Sequence, residues 1–367
     1  MALTAAELVT LLEGPGFEVD AGLDLLDADE NFVADISEFL VPSGSFVDRG
    51  VYRTLHGSGT LVLSTEIDWG SQRLRPWMSI TDGTLTETWY LGVYLPSTPV
   101  RPLGETPITY TVQCFDKLEI LNHPYGSSYA LASGAVILDA VADLISGAGE
   151  SKLLVDSDEA ATTLASARVW PIDPETSTLS IVNDLLGMIG YRSLWVDRDG
   201  YYRASRYVEP SGLAPVWTFS AQSTTTTVGE SRMFEADYFS VPNRWVFIRN
   251  DPESGLPATD DGLYVVTNQS DGATSIDARG RTITRVEFVD AATQAALESQ
   301  GDRMVEADKR LIQRTSITAA PNPVMWHFDA VTYVDSEVPT SDRWLVTDWT
   351  LPLDGADMTI ELKKVSA

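Results

Sequence analysis

The chain has 367 residues, of which 53 are Asp or Glu and 25 are Lys or Arg, so its formal net charge is −28. Proteins that hold nucleic acid or an anionic membrane usually present a basic surface, and this balance argues against both functions. Hydrophobic residues make up 44% of the chain, which is typical of a folded protein with two or three domains.

The first third of the chain, residues 1–122, predicts a mainly β domain. Short β-rich runs alternate with turn signals, and the strongest turn is Asp82-Gly83, which precedes an aromatic run over Glu87–Tyr94. A Pro-rich link leads to another predicted strand over Thr106–Phe115. Short strands joined by turns are typical of a sandwich or a barrel.

Two helices are predicted in the next part of the chain. Apolar residues recur at helical spacing over 134–149 and over 177–190. Ser177 or Thr178 is suited to cap the second helix, and Gly190 is suited to end it.

A tight hairpin follows the second helix. Its predicted strands cover 191–196 and 201–205, and Asp197-Arg-Asp-Gly200 forms the turn between them. The same four residues resemble half of a metal-binding loop, but a turn accounts for all of them without a ligand. The helices and the hairpin together predict a compact α/β insertion over residues 123–210.

The remaining residues, 211–367, predict a second β-rich domain. Strands are expected over 243–249, 262–267, 281–289, 324–334, 343–353 and 357–364. One long helix is expected over 291–314, with apolar members at Ala295, Met304, Val305, Leu311 and Ile312. The sequence therefore predicts a mainly β protein with an α/β insertion, in which the parts at roughly 15–122 and 215–367 form similar barrel-like domains.

One acidic segment resembles a calcium-binding loop. Asp27, Asp29 and Asn31 carry side-chain oxygens at every second position, and Glu38 stands at the twelfth. Phe32 replaces the glycine of the sharp turn, however, and strong flanking helices are missing. In a chain with 53 acidic residues such spacing arises by chance, so an acidic surface loop is favoured and calcium binding is left open.

No other pattern points to catalysis. The three histidines are far apart in sequence and form no metal-binding motif: His56, His123 and His327. A phosphate-binding Gly-rich loop and a nucleophile elbow are both missing, and no pair of carboxylates stands out for sugar hydrolysis. Three tryptophans in strand-like runs are expected in the core or at interfaces rather than on a sugar: Trp69, Trp77 and Trp89. We expect no catalytic residue, cofactor or metal.

The only cysteine, Cys114, excludes an intrachain disulfide. Its strand-like surroundings predict a buried, unreactive thiol. The N-terminus lacks the pattern of a signal peptide, and no apolar stretch approaches the roughly 18 residues that a membrane span needs. These features predict folding in the cytoplasm in reduced form.

Several segments resemble the minor tail proteins of long-tailed phages with high-GC Gram-positive hosts. The most specific is Leu179–Arg203, in which a helix that ends at glycine is followed by an aromatic strand and a tight hairpin. Further similar blocks are Leu63–Gly70 with Arg73–Trp77, Trp89–Tyr94, and Trp344–Leu353 with Gly355 and Met358. The preference for Arg is consistent with a GC-rich genome, since only five of the 25 basic residues are Lys.

The family in turn resembles the baseplate hub proteins of contractile-tail phages. The resemblance implies a structural virion protein, a homotrimeric ring that joins the tail tube to the tail tip or baseplate. Each chain would supply two related barrel-like domains, and residues 123–210 would be the insertion. The implied partners are the tube ring, the tape measure protein and the tail-tip fibre or spike proteins, with assembly in the host cytoplasm.

Two other functions stay open at this point. One is a carbohydrate-binding or carbohydrate-cleaving protein of the tail tip, and the other is the hub of a contractile injection machine. Some relatives carry a C-terminal hydrolase or host-binding extension, whereas this chain ends at Ala367, directly after its last predicted strand. We therefore favour the ring, through which DNA passes without specific binding because an acidic lining repels phosphate.

Overall fold

The structure is a computed structural model. It describes residues 3–14, 16–104, 106–157, 160–164, 166–222, 228–236, 239–249, 262–289, 294–309, 313–338 and 343–365. Among these residues far more belong to strands than to helices, which confirms the prediction of a mainly β fold.

The first β-rich part, as far as residue 116, contains one helix and eight strands among its described residues. They are α1 (Ala5–Leu12), β1 (Glu18–Leu26), β2 (Phe32–Asp35), β3 (Phe46–Gly50), β4 (Gly57–Leu63), β5 (Arg73–Thr81), β6 (Thr86–Tyr90), β7 (Tyr94–Val100) and β8 (Tyr110–Asp116). The predicted turn at Asp82-Gly83 is confirmed between β5 and β6. Asp82 Oδ1 accepts hydrogen bonds from the N–H groups of Thr84 and Leu85, both at 2.7 Å, and Gly83 has a φ of 87°.

The next part of the chain, residues 117–210, contains both helices and strands. Its elements are α2 (Leu118–Leu121), β9 (Tyr129–Leu131), α3 (Ile137–Gly147), β10 (Leu153–Val155), β11 (Arg168–Trp170), α4 (Thr178–Met188), β12 (Trp195–Val196) and β13 (Tyr202–Ala204). Ser177 is the cap of α4, since its Oγ accepts a hydrogen bond from the N–H of Ser180 at 3.1 Å. Gly190 follows the helix with a φ of 72°, a conformation that suits glycine.

The last part contains nine strands and two helices among its described residues. They are β14 (Pro215–Ser220), β15 (Val228–Ala236), β16 (Arg244–Arg249), β17 (Leu263–Thr267), α5 (Ile276–Arg279), β18 (Thr284–Val289), α6 (Gln294–Lys309), β19 (Gln313–Ala319), β20 (Ala330–Val334), β21 (Trp344–Pro352) and β22 (Met358–Lys364).

The long helix predicted over 291–314 is shorter at its C-terminal end than the sequence suggested. The described helix is α6, and Gln313 and Arg314 already belong to β19. Arg314 pairs with Lys363 of β22, so sheet pairing overrides the helical spacing there. Two of the predicted apolar members, Leu311 and Ile312, lie outside the described residues.

A single 14-stranded sheet connects the first and last parts of the chain. Its order is β15-β19-β22-β21-β3-β4-β8-β7-β5-β1-β2, and β6, β14 and β20 branch from that path. The antiparallel pairing of β3 with β21 is the link, for example between Asp48 and Thr350. The order of the described strands is that of an open sheet. The predicted pair of barrel-like domains is therefore not confirmed. The domain boundaries at 122 and 210 stay predictions.

The hydrophobic core follows the sheet. Buried side chains from both β-rich parts belong to one cluster, among them Leu23, Leu61, Val112, Phe219, Trp344 and Ile360. A second cluster belongs mainly to the α/β insertion, with Val141, Leu144, Val182 and Leu185 at its centre. A third, smaller cluster lies between α6 and β16, β17 and β18, and contains Trp245, Phe247, Val289, Leu297 and Val305.

Gly22 shows how closely the main sheet is packed. It pairs with Trp77 across β1 and β5, and a Cβ atom at position 22 would overlap both the Trp77 ring and Ser37 Oγ. Ser37 Oγ also accepts a hydrogen bond from the N–H of Leu23 at 3.0 Å. The space above Gly22 is therefore filled by Trp77 and by the residues that follow β2.

We expect Gly22→Ala to lower the free energy of unfolding by about 1–3 kcal/mol, because overpacking forces neighbouring side chains off their rotamers. Gly16→Ala is the matched control, since Gly16 is exposed and an added Cβ would meet no atom within 4 Å. Thermal unfolding monitored by tryptophan fluorescence compares the two variants. Equal melting temperatures for both would contradict the close packing at Gly22.

Candidate functional site

The segment that resembles a calcium loop forms the turn between β1 and β2. Asp27 Oδ1 accepts hydrogen bonds from the N–H groups of Asp29 at 2.9 Å and Asn31 at 2.8 Å, so this carboxylate closes the turn. Glu38 lies apart from the turn, in a short 3-10 helix. Among the residues that the structure describes, no group of three or more His, Cys, Asp or Glu side chains is placed to hold a metal ion.

Glu30, which no sequence pattern distinguishes from its acidic neighbours, turns inward from the same loop. Its φ is 64°, and only 3% of its side chain is exposed. Glu30 Oε1 accepts a hydrogen bond from Arg73 Nη1 at 2.7 Å, and Oε2 accepts one from Lys152 Nζ at 2.8 Å. Glu30 Oε1 also forms an ion pair with Lys117.

A second buried carboxylate, Glu150, completes this cluster. Its carboxylate forms ion pairs with Arg73 Nη2 and with Lys117 Nζ, both at 2.7 Å. The Lys117 side chain is fully buried; it also donates to the carbonyl oxygen of Gly200 at 2.9 Å and lies 4.7 Å from the centre of the Tyr202 ring. We call Glu30, Arg73, Lys117, Glu150 and Lys152 the ionic junction.

The ionic junction fixes the α/β insertion to the main sheet. Glu30 and Arg73 come from the first β-rich part and Lys117 directly follows its last strand, whereas Glu150 and Lys152 lie just before β10. Burial raises the pKa of Glu30, but the charges of Lys117 and Lys152 and their hydrogen bonds outweigh burial and hold this pKa below its ordinary value. Both carboxylates are therefore matched by buried cations.

A second junction is built around Trp326, in the loop before β20. Two guanidinium groups lie over the Trp326 ring, that of Arg49 at 4.0 Å and that of Arg198 at 4.4 Å from its centre. Arg49 is only 1% exposed and donates to the carbonyl oxygen of Val196 at 3.3 Å. Such cation–π contacts are strongest where water is excluded.

Arg198 holds the loop before β20 in place. Its Nη2 donates to three consecutive carbonyl oxygens, those of Pro323 at 2.6 Å and of Val324 and Met325 at 2.9 Å. Arg198 lies in the hairpin turn that the sequence predicted. That turn is confirmed, because Asp197 Oδ1 accepts hydrogen bonds from the N–H groups of Asp199 and Tyr201.

Two of the three histidines meet beside this junction. The ring centres of His56 and His327 are 4.5 Å apart, and Trp195 stacks on His327 at 5.1 Å. Burial and the neighbouring Arg49 charge lower the pKa of His56 to about 3. Burial, His56 and Arg49 also lower the pKa of His327 well below its usual value. His123, in contrast, is exposed.

The remaining candidates from the sequence are parts of the packed interior. Cys114 is 1% exposed, and burial raises the pKa of its thiol to about 12, so the predicted unreactive thiol is supported. Trp69 and Trp89 are partly buried and pack against the main core, and Trp77 lies over Gly22. These tryptophans do not form an exposed stacking platform for a sugar.

An open cleft of about 1010 Å³ lies between the end of α4 and helix α6. Its lining includes Arg168, Arg206 and Arg303 beside Met188 and Met304. Among the described residues that line it there is no Ser, Cys or His, whereas two carboxylates, Asp184 and Glu209, are present. No described helix is long and apolar enough to cross a membrane.

No protein-family model and no curated protein matches this sequence. Solved structures match it by fold. The tail protein from Neisseria meningitidis MC58 has a TM-score of 0.65 and 13% identity, over 94% of this chain and 97% of that chain. The 43 kDa tail protein of prophage MuSo2 from Shewanella oneidensis has a TM-score of 0.65 and 12% identity, over 95% and 98%.

A chain of the Francisella PdpA–VgrG complex also shares the fold, with a TM-score of 0.60 and 9% identity over 97% of this chain and 54% of that chain. At these identities the likeness concerns the fold. The chain has the fold of a phage tail protein, which confirms the resemblance drawn from its sequence.

We expect Lys117→Met to destabilise the protein by about 1.5–3 kcal/mol, because Glu30 and Glu150 each lose a buried charged partner, although Arg73 still contacts both. Arg53→Met is the matched control. Arg53 also bridges two carboxylates, Asp48 and Asp348, but its side chain is 40% exposed, and exposed pairs contribute only about 0–1 kcal/mol. Chemical unfolding measures both variants, and a loss for Lys117→Met no larger than that of the control would contradict a structural role for the ionic junction.

We expect the buried histidines to make the fold acid-sensitive. The folded-state pKa of His56, about 3, lies below the ~6.5 of an unfolded histidine. The unfolded chain therefore binds more protons as the pH falls below about 6.5, and the free energy of unfolding decreases. His56→Gln removes this contribution. Between about pH 5.5 and 4, the free energy of unfolding of the variant should therefore decrease less steeply than that of the wild type, by about 1.4 kcal/mol per pH unit.

His123→Gln is the control, since His123 is exposed, and its curve should follow that of the wild type. Burial raises the pKa of Asp116 to about 6, so its protonation on acidification opposes the histidine effect. Asp116 is present in all three proteins, and the difference between curves isolates His56. Parallel unfolding curves for wild type and His56→Gln, measured from pH 7 to 4, would refute the assignment.

Proposed function

We propose that this chain is a structural virion protein: a hub ring of three copies that joins the tail tube to the tail tip or baseplate. The main support for this proposal is the similarity of its fold to two tail proteins, over at least 94% of this chain and at least 97% of each of those chains. A likeness over nearly the whole of both chains involves more than one shared domain. It favours a common architectural role over a catalytic one, and we propose no enzymatic activity.

The two junctions support this role. A ring that transmits force and encloses a passage needs its parts held in one arrangement, and the ionic junction ties the insertion to the main sheet. Buried ion pairs are weak evidence for stability, but they penalise any arrangement in which one partner is unpaired. In the ring, the β-rich parts at roughly 15–122 and 215–367 would act as two related modules joined through β3 and β21.

The acidity supports a passage that does not retain DNA. One chain carries −28, so three chains carry three times that charge, or −84, and Coulomb repulsion opposes binding to phosphate. We propose an acidic or neutral lumen, crossed by the genome without specific binding. Partners in the virion would be the tube ring, the tape measure protein and tail-tip fibre or spike proteins, after assembly in the host cytoplasm.

One observation favours a second candidate. The fold is also that of a chain in the Francisella PdpA–VgrG complex, so the fold alone does not distinguish a phage tail from other machines. The hub of a contractile injection machine therefore stays a prediction. The neighbouring genes separate the two, because a sheath gene favours the injection machine.

We expect the purified chain of 40.1 kDa to form a trimer of three times that mass, about 120 kDa, in mass photometry and light scattering. We also expect no binding of double-stranded DNA at about 50 mM salt, where phosphate contacts are strongest. Fluorescence anisotropy with a labelled duplex tests this, with a basic DNA-binding protein as the positive control. A species that stays at 40.1 kDa at every concentration, or salt-sensitive DNA binding, would count against the ring.

A further inference from the structure

The small sheet of β17, β16 and β18 has one covered face and one open face. On the covered face, Trp245 and Phe247 are fully buried and cluster with Leu297 and Val305 of α6. The strand register places the alternate residues on the opposite side. We call that side the open face; it consists of Arg244, Val246, Ile248, Leu263, Val265, Thr267, Thr284, Val286 and Phe288.

The open face is strongly apolar. Phe288 is 59% exposed, Val286 54%, Leu263 44% and Val265 40%, and these four surround Val246 and Ile248 of the central strand. Register pairs Val246 with both Val265 and Val286, and Ile248 with both Leu263 and Phe288. Six neighbouring aliphatic or aromatic side chains form a contiguous patch, which in soluble proteins marks an interaction surface.

The charge of the open face is opposite in character to that of the chain. None of its nine side chains is a carboxylate, although the chain has 53 Asp and Glu residues, and its only charged member is Arg244. Two chains of −28 each repel wherever carboxylates face each other. A contact between copies therefore requires a surface from which carboxylates are excluded, and the open face meets that requirement.

We propose that the open face is a contact between neighbouring copies of this chain. The inference rests on the proposed ring and names the surface through which it assembles. In a cyclic trimer the contact is head-to-tail, so the face docks on a different surface of the next copy. That surface belongs to an acidic chain, so Arg244 finds a carboxylate partner while the six apolar side chains lose their water.

The composition of the open face suits the centre of an interface. A stable interface buries about 800 Å² per partner and has an apolar centre with a polar rim. Val246, Ile248, Val265, Val286 and Phe288 would form the centre. Thr267 and Thr284, which pair with Arg244 at one end of the sheet, would belong to the rim.

The test is the oligomeric state of Val286→Asp by mass photometry and light scattering, over concentrations that span assembly of the wild type. We expect at least a tenfold higher concentration for half-assembly, because a carboxylate enters the apolar contact. The matched control is Val169→Asp, at a position that is 63% exposed on β11 of the insertion. The control introduces the same charge on the same residue type and should assemble like the wild type.

A second variant, Phe288→Ser, removes apolar area without adding charge and should also weaken assembly. Both changes lie away from the α6 side of the sheet, so circular dichroism and melting temperature should stay near wild-type values. A wild-type trimer with unchanged assembly of both variants overturns the open face as the contact and leaves the ring intact. A wild type that remains monomeric overturns the trimeric ring and this contact together.

Discussion

The pairing of β3 with β21 is the contact on which the rest of the structure depends. It joins strands from opposite ends of the chain into one sheet and lets the two β-rich parts share one core. Its register sets Arg49 opposite Trp349, and Trp349 lies 6.1 Å from Trp326. The same strand pairing thus positions the Arg49 guanidinium against Trp326. The junction around Trp326 therefore follows from the pairing within the sheet.

Burial of basic residues at the junctions has a consequence for the outer surface. Lys117, Arg49 and Arg73 are between 0% and 8% exposed. The charges of Lys117 and Arg73 neutralise buried carboxylates, and the guanidinium of Arg49 stacks on an aromatic ring. A chain with only 25 basic residues then has fewer of them left to face solvent. Carboxylates are buried with them, among them Asp116, Glu150 and Glu30, so the exposed surface keeps the acidic balance of the whole chain. Such a surface disfavours phosphate and favours solubility.

Features that depend on neighbouring residues could be predicted from the sequence. The cap at Ser177, the turn at Asp82-Gly83 and the turn at Asp197–Gly200 each rest on residues within four positions of one another, and each is confirmed. The helix predicted to reach residue 314 was wrong at its end because β19 pairs with β22, and that pairing is invisible to helical spacing. Local propensity yields to tertiary pairing in such places.

The functional features were harder to foresee because they join distant segments. Glu30 lay in a loop that read as acidic surface, and only its contacts with Lys117 and Lys152 show that it points inward. The meeting of His56 with His327 has no signal in the spacing of three histidines. The separate core around Trp245 was likewise missed within a part that read as one β-rich domain. A pairing that is set by the fold leaves no periodic pattern for sequence reasoning to detect.

Acidity and assembly place opposing demands on such a chain. Repulsion between exposed charges extends over a Debye length of roughly 10 Å at 0.1 M salt, whereas an apolar contact acts only where surfaces touch. Copies that repel at a distance can still associate if the touching surfaces carry no like charge. The open face has six apolar side chains and Arg244. It can therefore form an apolar contact at short range, while the exposed carboxylates elsewhere on the chain act at longer range. Its position on the side of the sheet away from α6 leaves the small core intact while the patch remains available for contact.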